Sequence, residues 1–482
     1  MKLLMMTMMT ACTVGAVLAA EVTVDFTASA GTIKPALHSS GWAPRSYPRF
    51  IQNDDAAVKA MKLAYARTHD WPLVNSGQRV VDYQYIFPLF DKDAKDPSNY
   101  LFGPTDYLLS LARNVGLKIF YRLGTSIEHT GWDVHFNAKV PPDFEKTAEI
   151  FAAIVRHYNK GWANGHEWGI EYWEIWNEPD GINNMWWLPE AEGGRDEGVM
   201  RDRFIKLFVT VLKRIKDEFP DVKVGGPALC WLNQDYFRRL LQACKDAGVA
   251  PDFISWHYYG ADDDKLLRTA FVARKMCDDF GFTKTELVIN EYHYILTWDG
   301  IHGRDSTPAM VKRALDGPTG HNRIDAACFY LTMLSRFQTS PLDQAYWYGC
   351  GAQGNWGYMD EYRQFNKTYY AAKLFGQIVQ DFPNLCEVKK TGTITTLAAR
   401  SADGRKAALL VTDYRGTDQV IEIDIRGCGG ETDRMNFISA VVLDDTRDNL
   451  PCEVKWRNGR LTVVKPDKNS AAFLITAEEN GR

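Results

Sequence analysis

Residues 170–181 read Ile-Glu-Tyr-Trp-Glu-Ile-Trp-Asn-Glu-Pro-Asp-Gly. From Ile170 to Trp176 the residues are mostly apolar, β-branched or aromatic, the composition of a short strand. The run stops at Asn177-Glu178-Pro179, so polar groups stand where the strand opens into a loop. On one side lies Phe144–Tyr158, with Ile150, Phe151, Ile154 and Val155 at helical spacing. On the other, Arg203–Phe219 repeats the pattern with Phe204, Leu207, Phe208, Val211, Leu212 and Ile215.

This alternation recurs along the chain. Strand-like runs are found at Leu37–Trp42, Leu63–Thr68, Leu117–Leu123, Ile170–Trp176, Val222–Gly226, Asp252–His257, Leu287–Asn290 and Gln344–Tyr348. Amphipathic stretches such as Tyr236–Ala247 and Ile324–Phe337 lie between them. Strands alternating with helices imply parallel strands joined by right-handed crossovers. Eight units predict an α/β fold, a closed (β/α)8 TIM barrel over residues 37–380. An open doubly wound sheet would want a Gly-rich phosphate loop after an early strand, and the sequence has none.

After residue 380 the pattern changes. Runs at Thr393–Ala398, Lys406–Thr412, Val420–Ile425, Phe437–Leu443, Glu453–Trp456, Leu461–Val464 and Ala471–Ile475 follow one another with no helical stretch between them. Ala402-Asp403-Gly404 and Arg457-Asn458-Gly459 are hairpin turn signals. Residues 381–482 therefore read as a small antiparallel β-sandwich. Residues 21–36 alternate like a strand and are expected to join it.

The chain has 482 residues, 45% hydrophobic and 24% charged, which is ordinary globular usage. A net charge of −5 carries no footprint for nucleic acid or an anionic membrane. Residues 1–20 (MKLLMMTMMTACTVGAVLAA) put one Lys before an apolar run ending in small residues. That fits a signal peptide cleaved near Ala20, hence export to the periplasm or medium; lipid anchoring at Cys12 is the lesser alternative. No later apolar stretch reaches membrane-spanning length. Of nine Cys, eight remain without Cys12, and no CxxC or HExxH appears. No metal or cofactor is expected, and buried free thiols are, with Cys428–Cys452 the pair that would bridge if any did. The oligomeric state stays open.

In a barrel of this kind chemistry sits at the C-terminal ends of the strands. The fourth strand ends on Asn177 and Glu178. The sixth gives Trp256-His257-Tyr258-Tyr259, the seventh Asn290-Glu291-Tyr292-His293, the eighth Tyr346-Trp347-Tyr348, and the second Arg67-Thr68-His69. Glu178 and Glu291 are three strand–helix steps apart, each of about 38 residues, in keeping with units of 30 or more. They face each other across the barrel mouth. Cleavage of a glycosidic bond needs such a pair, one group protonating the leaving oxygen and the other attacking or activating water. With 15 Trp the chain also holds flat apolar faces of the sort that stack on sugars. Trp347 is a candidate floor, and Trp186-Trp187 or Trp132 with Glu128 and His129 are loop candidates.

Trp-Asn-Glu-Pro closing the fourth strand and a Glu closing the seventh resemble the clan A retaining glycosidases. More closely, Glu-Ile-Trp-Asn-Glu-Pro-Asp, Ser-Trp-His-Tyr-Tyr and Ile-Asn-Glu-Tyr resemble glycoside hydrolase family thirty-nine, the β-xylosidases and α-L-iduronidases. The resemblance implies Glu178 as acid/base, Glu291 as nucleophile and Asn177 as partner of the sugar 2-hydroxyl. It places His257 and Tyr259 beside the nucleophile. His69 suits a sugar hydroxyl, and Arg67 an orienting cation or a buried ion pair. The iduronidases carry a Lys two residues after the sixth-strand His; Tyr259 stands there, which favours a neutral pentoside. The expected function is an exported, exo-acting, β-xylosidase-like hydrolase with a glycoside or oligosaccharide as partner. An iduronidase, another clan A enzyme (arabinosidase, galactosidase, endo-acting) and a catalytically silent sugar binder remain the alternatives.

Overall fold

The structure, a computed structural model, describes residues 22–41, 55–69, 71, 79–126, 140–181, 194, 196–298, 307–349, 356–360, 364–390, 392–428, 435–457 and 459–479. The leader, Cys12, Cys350, Glu128, His129, Trp132, Trp186 and Trp187 lie outside the described residues.

Strand β1 (Val22–Thr32) precedes the barrel. The barrel closes as β2 (Ser39–Ser40), β3 (Tyr65–Arg67), β4 (Lys118–Leu123), β5 (Tyr172–Ile175), β6 (Lys223–Leu229), β7 (Phe253–Gly260), β8 (Glu286–Tyr294) and β9 (Gln344–Trp347), all parallel. Closure is made by β9 against β2, Ser40 opposite Trp347. Each strand grows out of one of the eight apolar runs read from the sequence.

The barrel interior is layered, because residues two apart on a strand point the same way. Tyr65, Phe120, Tyr172, Phe253, Val288 and Tyr346 form an apolar floor of buried side chains. Two residues further along the same strands stand Arg67, Glu174, Ser255 and Asn290, all fully buried. A polar layer thus rests on an aromatic one, directly beneath the strand ends.

The second body is one ten-stranded sheet rather than two separate ones. Its members after β1 are β10 (Asn384–Lys390), β11 (Thr395–Arg400), β12 (Lys406–Asp413), β13 (Val420–Arg426), β14 (Met435–Leu443), β15 (Asp448–Pro451), β16 (Lys455–Arg457), β17 (Arg460–Val464) and β18 (Ala471–Glu479), in the order β15-β14-β18-β12-β11-β10-β1-β13-β17-β16. β1 pairs antiparallel with β10 and parallel with β13, the one parallel pair of this sheet among the described residues. The sheet curls so that Val24 and Phe26 of β1, Ile423 of β13, Leu409 of β12 and Phe473 of β18 share one core. The alternate residues Leu397, Leu410 and Leu474 join the barrel's core instead. β12 is therefore buried on both faces, which explains the unbroken apolar run Ala407–Val411. The helix Ile324–Phe337 lies between the two bodies, with every residue except Arg336 buried. Cys428 and Cys452 are thiols and form no bridge. Among the described residues no helix is long and apolar enough to cross a membrane.

Candidate active site

Arg67 is the hub of the polar layer. Its Nε donates to Glu174 Oε2 at 2.6 Å, Nη1 to Glu291 Oε1 at 2.7 Å and Nη2 to Asn177 Oδ1 at 2.7 Å. Glu174 completes its shell with Ser255 Oγ at 2.6 Å and Asn290 Nδ2 at 2.7 Å. Both ions are fully shielded from solvent. A buried ion is tolerable only when paired and hydrogen-bonded, and here each is. Of the two roles open to Arg67, the buried ion pair and the orienting cation, the geometry supplies both. Glu174 is the residue that sequence reasoning missed. Its signal was available: a carboxylate mid-way through a buried strand requires a buried cation.

Asn290 and Glu291 are consecutive, yet both reach the Arg67 cluster. A regular pleat would send them to opposite faces. Irregularities in register resolve this: β8 slips against β9 between Ile289 and Tyr292, and β7 against β8 between Trp256 and His257. Bulges re-aim side chains in this way beside functional sites.

Glu291 is 4% exposed and surrounded by donors. Besides Arg67, Tyr259 Oη donates to Oε2 at 2.5 Å, His257 Nδ1 is 3.3 Å from Oε2 and His69 Nε2 is 3.6 Å from Oε1. Burial, then the charge of Glu291, pushes the Tyr259 hydroxyl far above the usual tyrosine range, so it remains a donor. Glu178 is 18% exposed, and its Oε1 accepts from His257 Nδ1 at 2.7 Å. Burial lowers His257 to about 4, against the pull of Glu291. The ring is then neutral at ordinary pH, and its single proton belongs on Nδ1, which faces both carboxylates. One oxygen of Glu178 and one of Glu291 lie within 4.8 Å of each other.

The structure brings together Glu178, Glu291, Asn177, His257, Tyr259 and His69. Asn177 is 1% exposed, and its Nδ2 has no hydrogen-bond partner among the described residues. It is a donor held ready at the site. Trp347 differs from the expected floor. It is fully buried, its ring packed by His293 at 4.0 Å, Tyr330 at 5.0 Å and Tyr292 at 5.2 Å between centroids. Among the described residues this rim carries two exposed tryptophans, Trp231 after β6 at 55% and Trp298 after β8 at 45%, and Trp298 stands next to Tyr259 and Trp356. Nothing in the sequence marks Trp298, which follows the strand rather than ending it.

Glu178, His257 and Glu291 could also offer three metal ligands by proximity, as could Asp106, His157 and His166. Hydrogen bonding accounts for the first trio and for Asp106 with His157; His166 Nε2 stands 3.7 Å from Asp106 Oδ2. In the second, His157 Nε2 is 3.1 Å from Asp106 and Nδ1 is 2.8 Å from the Trp162 carbonyl.

The family model of glycosyl hydrolases family 39 matches residues 22–288. The chain belongs to that family. A family 39 chain with this barrel also resembles characterised proteins over shorter or more distant matches. A β-xylosidase of Geobacillus stearothermophilus is 27% identical over 128 residues, 26% of this chain and 22% of that protein's length. The glucosidase of Croceicoccus marinus superposes with a TM-score of 0.73 at 20% identity, covering 96% of this chain and 99% of its own. The monomeric β-xylosidase of Caulobacter crescentus CB15 does so with 0.65 at 15%, covering 95% and 99%. Those two superpositions speak to the fold, a barrel carrying a small sheet domain.

Proposed function

We propose that the protein is a retaining glycoside hydrolase acting on neutral β-glycosides, xylosides first. The observation that carries this is the distance between carboxylates. Retaining enzymes hold the two groups about 5–5.5 Å apart, inverting ones about 6.5–9.5 Å, to leave room for water. Oxygens of Glu178 and Glu291 within 4.8 Å fit the first class.

In the first step Glu291 attacks the anomeric carbon while Glu178 gives its proton to the departing glycosidic oxygen. The C–O bond breaks, and the sugar is left esterified to Glu291. Glu178, now charged, takes a proton from water, whose oxygen attacks the anomeric carbon and frees Glu291. Arg67, Tyr259 and His69 aim the nucleophile. Asn177 Nδ2 supplies a hydrogen bond to a sugar hydroxyl, worth most where charge develops. Exposed Trp298 is the platform for an apolar sugar face.

Neutral specificity rests on Tyr259 standing where a uronide-reading enzyme has Lys, and on Arg67 being committed through each of its three nitrogens to Glu174, Glu291 and Asn177. Iduronides or glucuronides cleaved in preference to xylosides would overturn it. Exo-action and export past a leader ending near Ala20 belong to the same reading. Xylo-oligosaccharides should release xylose alone, and the mature chain should begin near Glu21 by intact mass.

Early-time proton NMR of the product gives its anomer directly, and retention is expected. Glu291→Gln should abolish turnover for every leaving group. Glu178→Ala should spare activated leaving groups in the first step, slow the second, and be rescued by azide. An inverted product, or near-normal rates in Glu291→Gln, would rule the mechanism out.

A further inference from the structure

The turn after β5 carries a carboxyl that the double displacement leaves unused. Asp180, two residues beyond Glu178, is 7% exposed. Its Oδ1 accepts the Cys230 backbone N–H at 2.9 Å. Glu178 donates its own N–H to the Ala228 carbonyl at 2.9 Å. The turn bearing the acid is thus pinned on both sides of Pro179 to the chain leaving β6. It has reason to need pinning: Trp176, Glu178 and Ala228 all hold left-handed φ, at 76°, 46° and 58°. A residue with a side chain is strained in that conformation and is kept there by its surroundings.

The groups around Asp180 are Glu178 on its own turn, Cys230 beyond β6 and Tyr236 on the helix Gln234–Asp246, which in turn feels Arg201 and Asp202 on the helix Glu197–Glu218. The Cys230 thiol lies against both carboxyls, and burial together with their charges pushes it far above the usual thiol range. Burial likewise pushes Asp180 up to about 6; the Cys230 N–H opposes that shift, and the charge of Glu178 adds to it. Asp180 and Glu178 share one turn and both meet the Cys230 thiol, so the charge of each opposes ionisation of the other.

We propose that Asp180 is a positioning residue for Glu178: its Cys230 bond fixes the acid-bearing turn, and its negative charge holds the proton on Glu178 as pH rises. The inference rests on reading Glu178 as the acid/base. Protonation of the leaving oxygen fails once Glu178 ionises, and an anion nearby postpones that point. Asp180 does not touch the sugar in this account; it acts through Glu178.

The test is the pH profile of kcat/KM, which reports groups of the free enzyme, measured on alkyl and dinitrophenyl β-xylosides. Asp180→Asn keeps an oxygen for the Cys230 N–H and removes the charge. Its alkaline limb for the alkyl xyloside should move acidward by about one pH unit, roughly a tenfold loss on that limb. Asp180→Ala removes the pin as well, so kcat should also fall, more for the alkyl than for the dinitrophenyl substrate, which needs little acid help. An Asp180→Asn profile superimposable on wild type overturns the charge role. An Asp180→Ala loss equal for both leaving groups overturns the positioning role. A wild type inert toward every glycoside would sink the reading of the site itself, whereas an active wild type with unmoved variants sinks only this inference.

Discussion

Arg67 does with one side chain what three separate cations would do less well. Its planar fork meets Glu174, Glu291 and Asn177 together, at 2.6–2.7 Å. A lysine has one compact charge and no fork. Arg67→Lys should therefore leave at least one carboxylate buried and poorly paired, costing about 3–5 kcal/mol. The freed Glu291 should lose its aim, and a displacement of about 1 Å can cost roughly 10²-fold in rate. Urea melts and kcat/KM on the same preparation check both. A Lys variant close to wild type in each would mean that the layer below the nucleophile is passive. The residue scale is also where legibility divides. Glu178 and Glu291 announce themselves, since each follows an apolar run and faces the loops. Glu174 sits inside such a run, and its partners come from β3, β7 and β8. Four strands must be in register before that cluster exists, so no single stretch of sequence displays it.

At the scale of elements, the eight barrel runs were readable because both faces of a parallel strand are covered, which makes them continuously apolar. The two strands that escaped notice were β10, whose Asn384-Leu385-Cys386-Glu387-Val388-Lys389-Lys390 mixes charge into the pattern, and β15, which ends at Pro451 on the sheet's edge. Edge strands tolerate Pro because one side needs no partner. His38 shows how barrel closure is fastened. Its Nε2 lies 2.7 Å from the Met61 carbonyl and its Nδ1 2.9 Å from Tyr330 Oη, tying the start of β2 to two helices. Burial lowers it from 6.5 to about 4, against the pull of the Met61 carbonyl. The unfolded chain therefore takes up a proton here near pH 6.5 that the folded chain refuses until about 4. Stability from this group is present above the upper value and lost as pH falls through the window. Compared with His38→Gln, which cannot titrate, wild type should lose about 3 kcal/mol of its advantage between those values. Urea melts of both proteins at pH 7.5, 5.5 and 4.5 would show it; a pH-independent gap would contradict a neutral His38.

Taken whole, the molecule is two bodies that share a wall. Leu397, Leu410 and Leu474 turn their side chains to the helix Ile324–Phe337, whose other faces belong to the barrel. Charged groups reinforce the contact: Asp325 of that helix accepts from Ser470 Oγ at 2.5 Å and meets Arg415 at 3.4 Å. Removing residues 381–482 should expose that helix and yield insoluble or unfolded barrel, since an apolar face of this kind does not survive in water. Leu410→Ala offers a milder measurement, with an expected loss of about 2–5 kcal/mol. A soluble, fully active truncation would show the small body to be an independent appendage.

β1 joins this wall from far away in the chain. Phe26 and Cys386 are neighbours across 360 residues, and β13, the other partner of β1, comes later still. Ribosomes add about 5–20 residues per second, so β1 waits tens of seconds for its first partner to be made. During that time Val22, Val24 and Phe26 have no core to enter, while the barrel between can already be assembling. The earliest strand is then among the last to be seated. A newly made chain spends the synthesis of the whole barrel with that strand available to chaperones, and the small body can close only once β18 has been made.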